Sequence, residues 1–155
     1  MDQTAQAASA ARKLAIKLLG RREHSRRELQ VKLARKGYEG SVVTALLQEL
    51  VDADWQSEQR FTEAFARERL QRGRGPIRTR AELRERGIDD TLIDTVLNDE
   101  TDWVAVLGDI AKRRFGPDSP ADGQESAKRK RFLYNRGFSS ADIHRFFRDA
   151  GWEGS

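Results

Sequence analysis

The residues of this chain best placed to do chemistry are arginines and lysines gathered in three clusters. Residues 12–36 hold ten basic side chains against Glu23 and Glu28, among them Arg21, Arg22, Arg26 and Arg27. Residues 67–86 hold eight arginines, including Arg72, Arg74, Arg78 and Arg80, against Glu68, Glu82 and Glu85. Residues 128–136 hold five basic residues and no acid, opening with Lys128, Arg129, Lys130 and Arg131. Guanidinium forks match phosphate and carboxylate bidentately, so the chemistry in prospect is recognition of a polyanion. Phe132, Tyr134 and Phe138 stand among the last of these cations. Basic residues interleaved with aromatics are the ingredients of a groove that tracks single-stranded nucleic acid. Phe138 aligns with Ile88 and Tyr38 and reads as core; Phe132 reads the same way, and Tyr134 stays open between the two roles.

Signatures of catalysis or metal binding are absent from the pattern. The two histidines, His24 and His144, are 120 positions apart, and neither has a second ligand type at metal spacing. Ser25 follows His24 directly, and adjacent residues do not aim their side chains together. Gly73-Arg74-Gly75-Pro76 lacks the Gly-Lys-Ser/Thr ending of a phosphate loop and reads as a helix breaker. Asp89, Asp90 and Asp94 are accounted for by helix capping and the helix dipole. The chain is therefore expected to be a binder and not an enzyme, without metal or cofactor.

The elements that must position the cations are announced by a repeat. Leu33 with Gly37, Leu83 with Gly87, and Leu133 with Gly137 recur at a spacing of 50. Each glycine is followed by an apolar residue (Tyr38, Ile88, Phe138) and then by an amphipathic run. Val43, Leu46 and Leu47 align with Ile93, Val96 and Leu97, and with Ile143, Phe146 and Phe147. Each run closes on one of the three tryptophans, Trp55, Trp103 and Trp152, which read as packing at the junctions. A period of this length marks stacked supersecondary units.

Each unit reads as three helices. Residues 8–19 place Ala11, Leu14, Ala15 and Leu18 on one face. Ser25-Arg26-Arg27-Glu28 is a capping box opening a second helix, which Gly37 ends as a left-handed C-cap. A third helix is expected over about residues 41–51. In the second unit a helix over residues 57–72 is followed by one that Pro76 opens, and Asp89 or Asp90 caps the next. The third unit begins near Asp102 with Trp103, Leu107 and Ile110 on one helix face, breaks at Gly116-Pro117-Asp118-Ser119-Pro120, and resumes over residues 122–136. Ser139 to Asp142 cap its last helix. The expectation is an all-α chain of three tandem three-helix repeats, over residues 8–54, 55–101 and 102–152, in an elongated, curved array.

Several stretches resemble the RecX regulatory proteins. They are Arg22-Glu23-His24-Ser25-Arg26-Arg27-Glu28-Leu29 with Leu33-Ala34-Arg35-Lys36-Gly37, then Arg60-Phe61, Phe65 and Arg69. Gly73-Arg74-Gly75-Pro76, Glu82-Leu83 and Gly87-Ile88 continue the match. It runs from about residue 12 to the C-terminus and is strongest through residue 97. Asp54-Trp55-Gln56-Ser57-Glu58 departs from the family, which more often has an aliphatic residue and paired acids there. The resemblance implies a regulator that binds the RecA recombinase filament on single-stranded DNA and limits its extension and activity in recombination, repair and the SOS response. It makes the twelve cations named above, from Arg21 to Arg131, candidates for contact with RecA or DNA.

Composition is compatible with this. Net charge is +4, yet residues 89–102 carry six acids and no base, and residues 49–58 carry four and none. Such two-signed segregation suits a polyanion on one face and a basic protein surface on another. With 35% charged residues, no cysteine and no apolar run of membrane-spanning length, a cytoplasmic, monomeric protein is expected. The alternative is a free-standing helix-turn-helix-like nucleic-acid-binding protein. The acidic third helices count against it, because that motif puts its last helix against phosphates.

Overall fold

Three helix endings of one design set the architecture. At the first, the Gly37 amide donates to Ala34 O (2.9 Å) and the Tyr38 amide to Leu33 O (3.4 Å). Gly87 and Ile88 repeat the pattern on Arg84 O and Leu83 O, and Gly137 and Phe138 repeat it on Tyr134 O and Leu133 O. These are Schellman endings, which need positive φ at the glycine; φ is 90°, 83° and 98° at the three positions. The apolar residue after each glycine folds back over the leucine five positions before it.

The computed structural model describes residues 3–97 and 101–153, and among them are nine helices and no strand. The first three are α1 (Gln3–Arg21), α2 (Arg26–Arg35) and α3 (Gly40–Asp52). The middle three are α4 (Glu58–Gln71), α5 (Pro76–Glu85) and α6 (Asp90–Val96). The last three are α7 (Trp103–Phe115), α8 (Gly123–Asn135) and α9 (Ser140–Asp149). The all-α tandem repeat expected from the spacing is what the chain adopts. Asp99 and Glu100 of the acidic run lie outside the described residues.

The caps expected on α2 and α9 form. Ser25 Oγ accepts from the Glu28 amide at 3.0 Å while Glu28 Oε1 accepts from the Ser25 amide at 3.0 Å. Asp122 caps α8 through the Glu125 amide (2.8 Å), and Ser139 caps α9 through the Asp142 amide (3.1 Å). The tryptophans behave differently from one another. Trp55 and Trp152 follow α3 and α9 and close their ends on Leu50 O and Phe147 O. Trp103 instead opens α7, because Asp102 takes the N-cap by accepting from the Ala105 amide. Trp152 is buried edge-on against Phe146 and Phe147, whereas Trp55 is 51% exposed and so is not a junction residue.

The chain divides into two compact units, and the middle helices are shared between them. One unit comprises Met1–Phe65 with Leu83–Leu92; the other comprises Ala66–Glu82 with Ile93–Ser155. In the first, α1, α2 and α3 pack around Leu29, Leu33, Val43, Leu46 and Leu47, all buried. Ala11 and Ala15 are fully buried, and their small side chains let α1 lie close to this core. Each fully buried leucine contributes about 2 kcal/mol relative to exposure.

In the second unit, α7, α8 and α9 enclose Leu107, Leu133, Phe138, Ile143 and Phe147. Gly108 brings α7 against α9: a Cβ there would meet the Phe146 ring at 2.8 Å. The start of α5 is docked on the end of α8. The Gly75 amide donates to Arg136 O (2.7 Å) and the Ile77 amide to Gly137 O (3.0 Å), while Pro76 between them has no N–H to place.

Candidate functional site

In the first unit the basic residues surround the start of α2, where the Ser25, Arg26 and Glu28 amides are already bonded. Arg22 grips Glu28 through two bonds of 3.1 Å and also donates to Glu23 O. The Arg26 amide donates to Glu58 Oε1 at 2.8 Å, which the buried Gln56 amide also reaches. Gln56 thus sits at the departure from the family pattern and ties α4 to the loop before α2. Burial alone would raise the Glu28 carboxyl, but the Arg22 guanidinium and the Ser25 amide outweigh it and hold it below its usual range. Arg27 is exposed, reaches Glu85 O at 3.4 Å and lies over Gly87. Arg21 is exposed at the last turn of α1. An external anion therefore meets mainly side chains here, because three of the helix-start amides are taken.

His24 is buried within the same cluster. Its Nδ1 lies 3.1 Å from Arg22 O, which only accepts, so Nδ1 carries the proton and Nε2 faces Lys32 Nζ at 2.8 Å. Burial lowers the pKa of the imidazole, and the Arg22 and Lys32 charges push the same way. Burial likewise lowers that of the Lys32 ammonium. Ser25 serves as a cap and not as a nucleophile.

In the second unit Arg72, Arg74 and Arg78 come together with Arg136. Arg72 pairs with Glu68 at 2.6 Å, and Arg78 reaches Glu82 (3.5 Å) and Asn135 O (3.3 Å). Arg80 pairs with Asp94. Arg74 is half-buried; burial, and then the charges of Arg78 and Arg136, hold its guanidinium below the ordinary arginine value. Like charges gathered this way attract an anion more strongly than any one of them would.

The third cluster is split by the fold. Arg129 is only 6% exposed, so it is withdrawn as a contact residue. Its Nε donates to Glu125 and its Nη1 to Asp118 O at 2.7 Å, with the guanidinium over the Trp152 and Phe115 rings. It braces the loop before α8 against the core. Lys130 folds its ammonium over Phe147 at 5.0 Å. Lys128 and Arg131 are exposed and rim a cleft of about 610 Å³ that also carries Asp122 and Glu125. Tyr134 is 60% exposed.

Arg113 and Arg114, which belong to none of the three clusters, join Arg136 of the third in a second cleft of about 510 Å³. Arg113 and Arg114 project from the end of α7, and Arg136 from the end of α8, beside Arg72 at the end of α4. The signal available was Lys112-Arg113-Arg114 in the last turn of α7, where cations complement the helix dipole. Phe132 lies under two of these guanidiniums, at 5.3 Å from Arg114 and 5.0 Å from Arg136. It organises cations and offers no free stacking platform. Among the described residues no three His, Asp or Glu side chains gather to hold a metal ion, and no helix is long and apolar enough to cross a membrane.

Comparison with known proteins follows the helix pattern. Profiles of the first, second and third three-helix domains of RecX match residues 11–50, 57–97 and 100–147 in that order. A regulatory protein RecX of Halorhodospira halophila is 44% identical over 92% of this chain and 89% of its own length. One from Chromohalobacter salexigens is 42% identical over 90% and 91%. The crystal structure of RecX from Lactobacillus salivarius superposes with a TM-score of 0.81 over 96% of this chain and 99% of its own, at 22% identity. That last likeness speaks to the fold.

Proposed function

The chain belongs to the RecX family of regulatory proteins, and on that footing we propose that it modulates the RecA recombinase. In this reading it binds the RecA filament on single-stranded DNA in the cytoplasm and limits the filament's extension and activity in recombination, DNA repair and the SOS response. It acts as a monomer and catalyses no reaction of its own. The observation that carries the reading is the ordered match of three RecX domains together with 44% identity along most of both chains.

The exposed and half-buried cations are assigned first to the recombinase surface and second to DNA. Many are already paired with carboxylates of this chain, as Arg22 is with Glu28 and Arg80 with Asp94. Alternating pairs of that kind complement a mixed-sign protein surface better than a uniformly negative phosphate backbone. The acids of α6 are engaged in the same way, Asp90 by Arg84 and Asp94 by Arg80, and α6 has no basic residue of its own with which to enter a DNA groove.

The test is the ATPase activity of RecA on single-stranded DNA, followed as the purified protein is added. Inhibition well below one molecule per recombinase is expected. Inhibition only at ratios that cover the DNA, or none, overturns filament regulation in favour of simple competition for DNA or of neither role.

A further inference from the structure

We propose that the cleft formed by the end of α4, by α7 and by α8 docks an acidic peptide segment that carries an apolar anchor. Two properties of this cleft must be explained together: its rim and its floor. The rim bears Arg72, Arg113, Arg114 and Arg136 against the single carboxylate of Asp109. Arg113 and Arg114 meet no carboxylate of this chain among the described residues, and both are exposed at a helix end that already favours cations. The floor is apolar, built from Val106 and Ile110 of α7 with Leu70 of α4, which is 37% exposed.

Gly73, at φ 73°, borders floor and rim together: a Cβ on it would lie in ordinary contact with the Ile110 side chain at 3.4 Å and Arg136 Nη1 at 3.8 Å. The guanidiniums are also partly fixed. Arg114 and Arg136 rest over Phe132, and Arg136 Nη1 donates to Arg72 O at 3.2 Å, which lowers the entropy lost when a carboxylate is gripped.

A sugar-phosphate backbone would use the rim and leave the floor wet, and it has no N–H to offer Asp109. An acidic segment with an aliphatic or aromatic side chain uses both: its carboxylates take the guanidinium forks, its anchor covers Ile110 and Leu70, and a backbone N–H can satisfy Asp109. The volume of about 510 Å³ admits such an anchor with its neighbours. This inference does not depend on the recombinase reading, because its test contains neither recombinase nor DNA beyond a competitor.

The test is fluorescence anisotropy of a labelled peptide of aspartates with a Phe-Ile pair, added to the full chain. The controls are the same peptide with Ser-Ser for Phe-Ile, and oligo-dT as competitor. Saturable binding is expected. Loss of roughly tenfold or more in affinity is expected for R113E with R114E, whose exposed positions keep the fold intact, and a smaller loss for Leu70→Ser. Circular dichroism confirms that each variant folds. No saturable binding overturns the proposal. So does equal binding of the Ser-Ser peptide, which would mean charge alone. Oligo-dT binding that displaces the peptide and is itself lost in R113E with R114E would assign the cleft to nucleic acid instead.

Discussion

The side chain of Arg78 covers Gly137 so closely that a Cβ built on the glycine would lie 2.4 Å from Arg78 Cβ and 2.8 Å from its amide nitrogen. Arg27 covers Gly87 in the same manner but more loosely, with side-chain atoms from 3.0 Å. At Gly37 nothing lies within 4 Å of that position. One helix ending thus occurs in three degrees of enclosure, and the two covered ones each lie beneath an arginine from the preceding repeat's second helix.

Alanine substitution should separate backbone strain from crowding at these three glycines. All three hold positive φ, which costs an L-residue about 1 kcal/mol. Gly37→Ala should pay that alone. Gly87→Ala should cost somewhat more, since the Arg27 side chain can shift, and Gly137→Ala should exceed about 2 kcal/mol because backbone atoms of Arg78 stand in the way. Urea unfolding midpoints measure the order, and equal losses at the three positions would remove the crowding argument.

The burial of His24, with the Arg22 and Lys32 charges beside it, makes stability fall with acid. The folded imidazole has a pKa below its ordinary 6.5, so below that pH the unfolded chain takes up a proton that the folded chain still refuses. Stability that is present above 6.5 is therefore lost as pH falls through this window. Glu28, also depressed, adds a loss of the same sign below its ordinary 4.5. Melting temperatures of wild type and His24→Gln should converge from about pH 7 to about pH 5, and parallel curves would refute the account. Lys32→Gln should also raise the His24 midpoint in a proton NMR titration, by removing the facing charge.

Arg129 should matter to folding where its sequence neighbours do not. Arg129→Ala removes two charge-assisted bonds and the covering of two rings, a loss of about 2 kcal/mol. Lys128→Ala and Arg131→Ala, both exposed, should leave the unfolding midpoint unchanged. A basic-surface variant meant to report on filament binding should therefore use Lys128 and Arg131 and spare Arg129. Similar losses at all three sites would contradict the buried placement.

What could be read from the sequence was local. Leu33 to Gly37 and its two copies state a helix ending in five residues, and Ser25 with Glu28 state a helix start in four. Trp103 reads both ways, as the close of the second run and as the opening of the third unit with Leu107 and Ile110, because a tryptophan near the repeat boundary looks alike whether it ends one unit or begins the next. Only the Asp102 cap decides, and that needs the chain direction of α7. Arg129 was illegible for a different reason: its partners Asp118, Phe115 and Trp152 are spread over the third repeat at no helical spacing. The arginine cleft is assembled likewise from the ends of three helices, so no window of sequence contains it.

The docking of α5 on α8 has a consequence for how the protein is made. The amides of Gly75 and Ile77 find their acceptors at Arg136 and Gly137, some sixty positions later in the chain. On the ribosome, the first turn of α5 must therefore wait with those donors turned to water until the second helix of the last repeat has emerged. The middle repeat is synthesised second but cannot be completed until much of the last repeat has been made, and a chain that stalls before Gly137 leaves its central segment without the surface it needs to settle on.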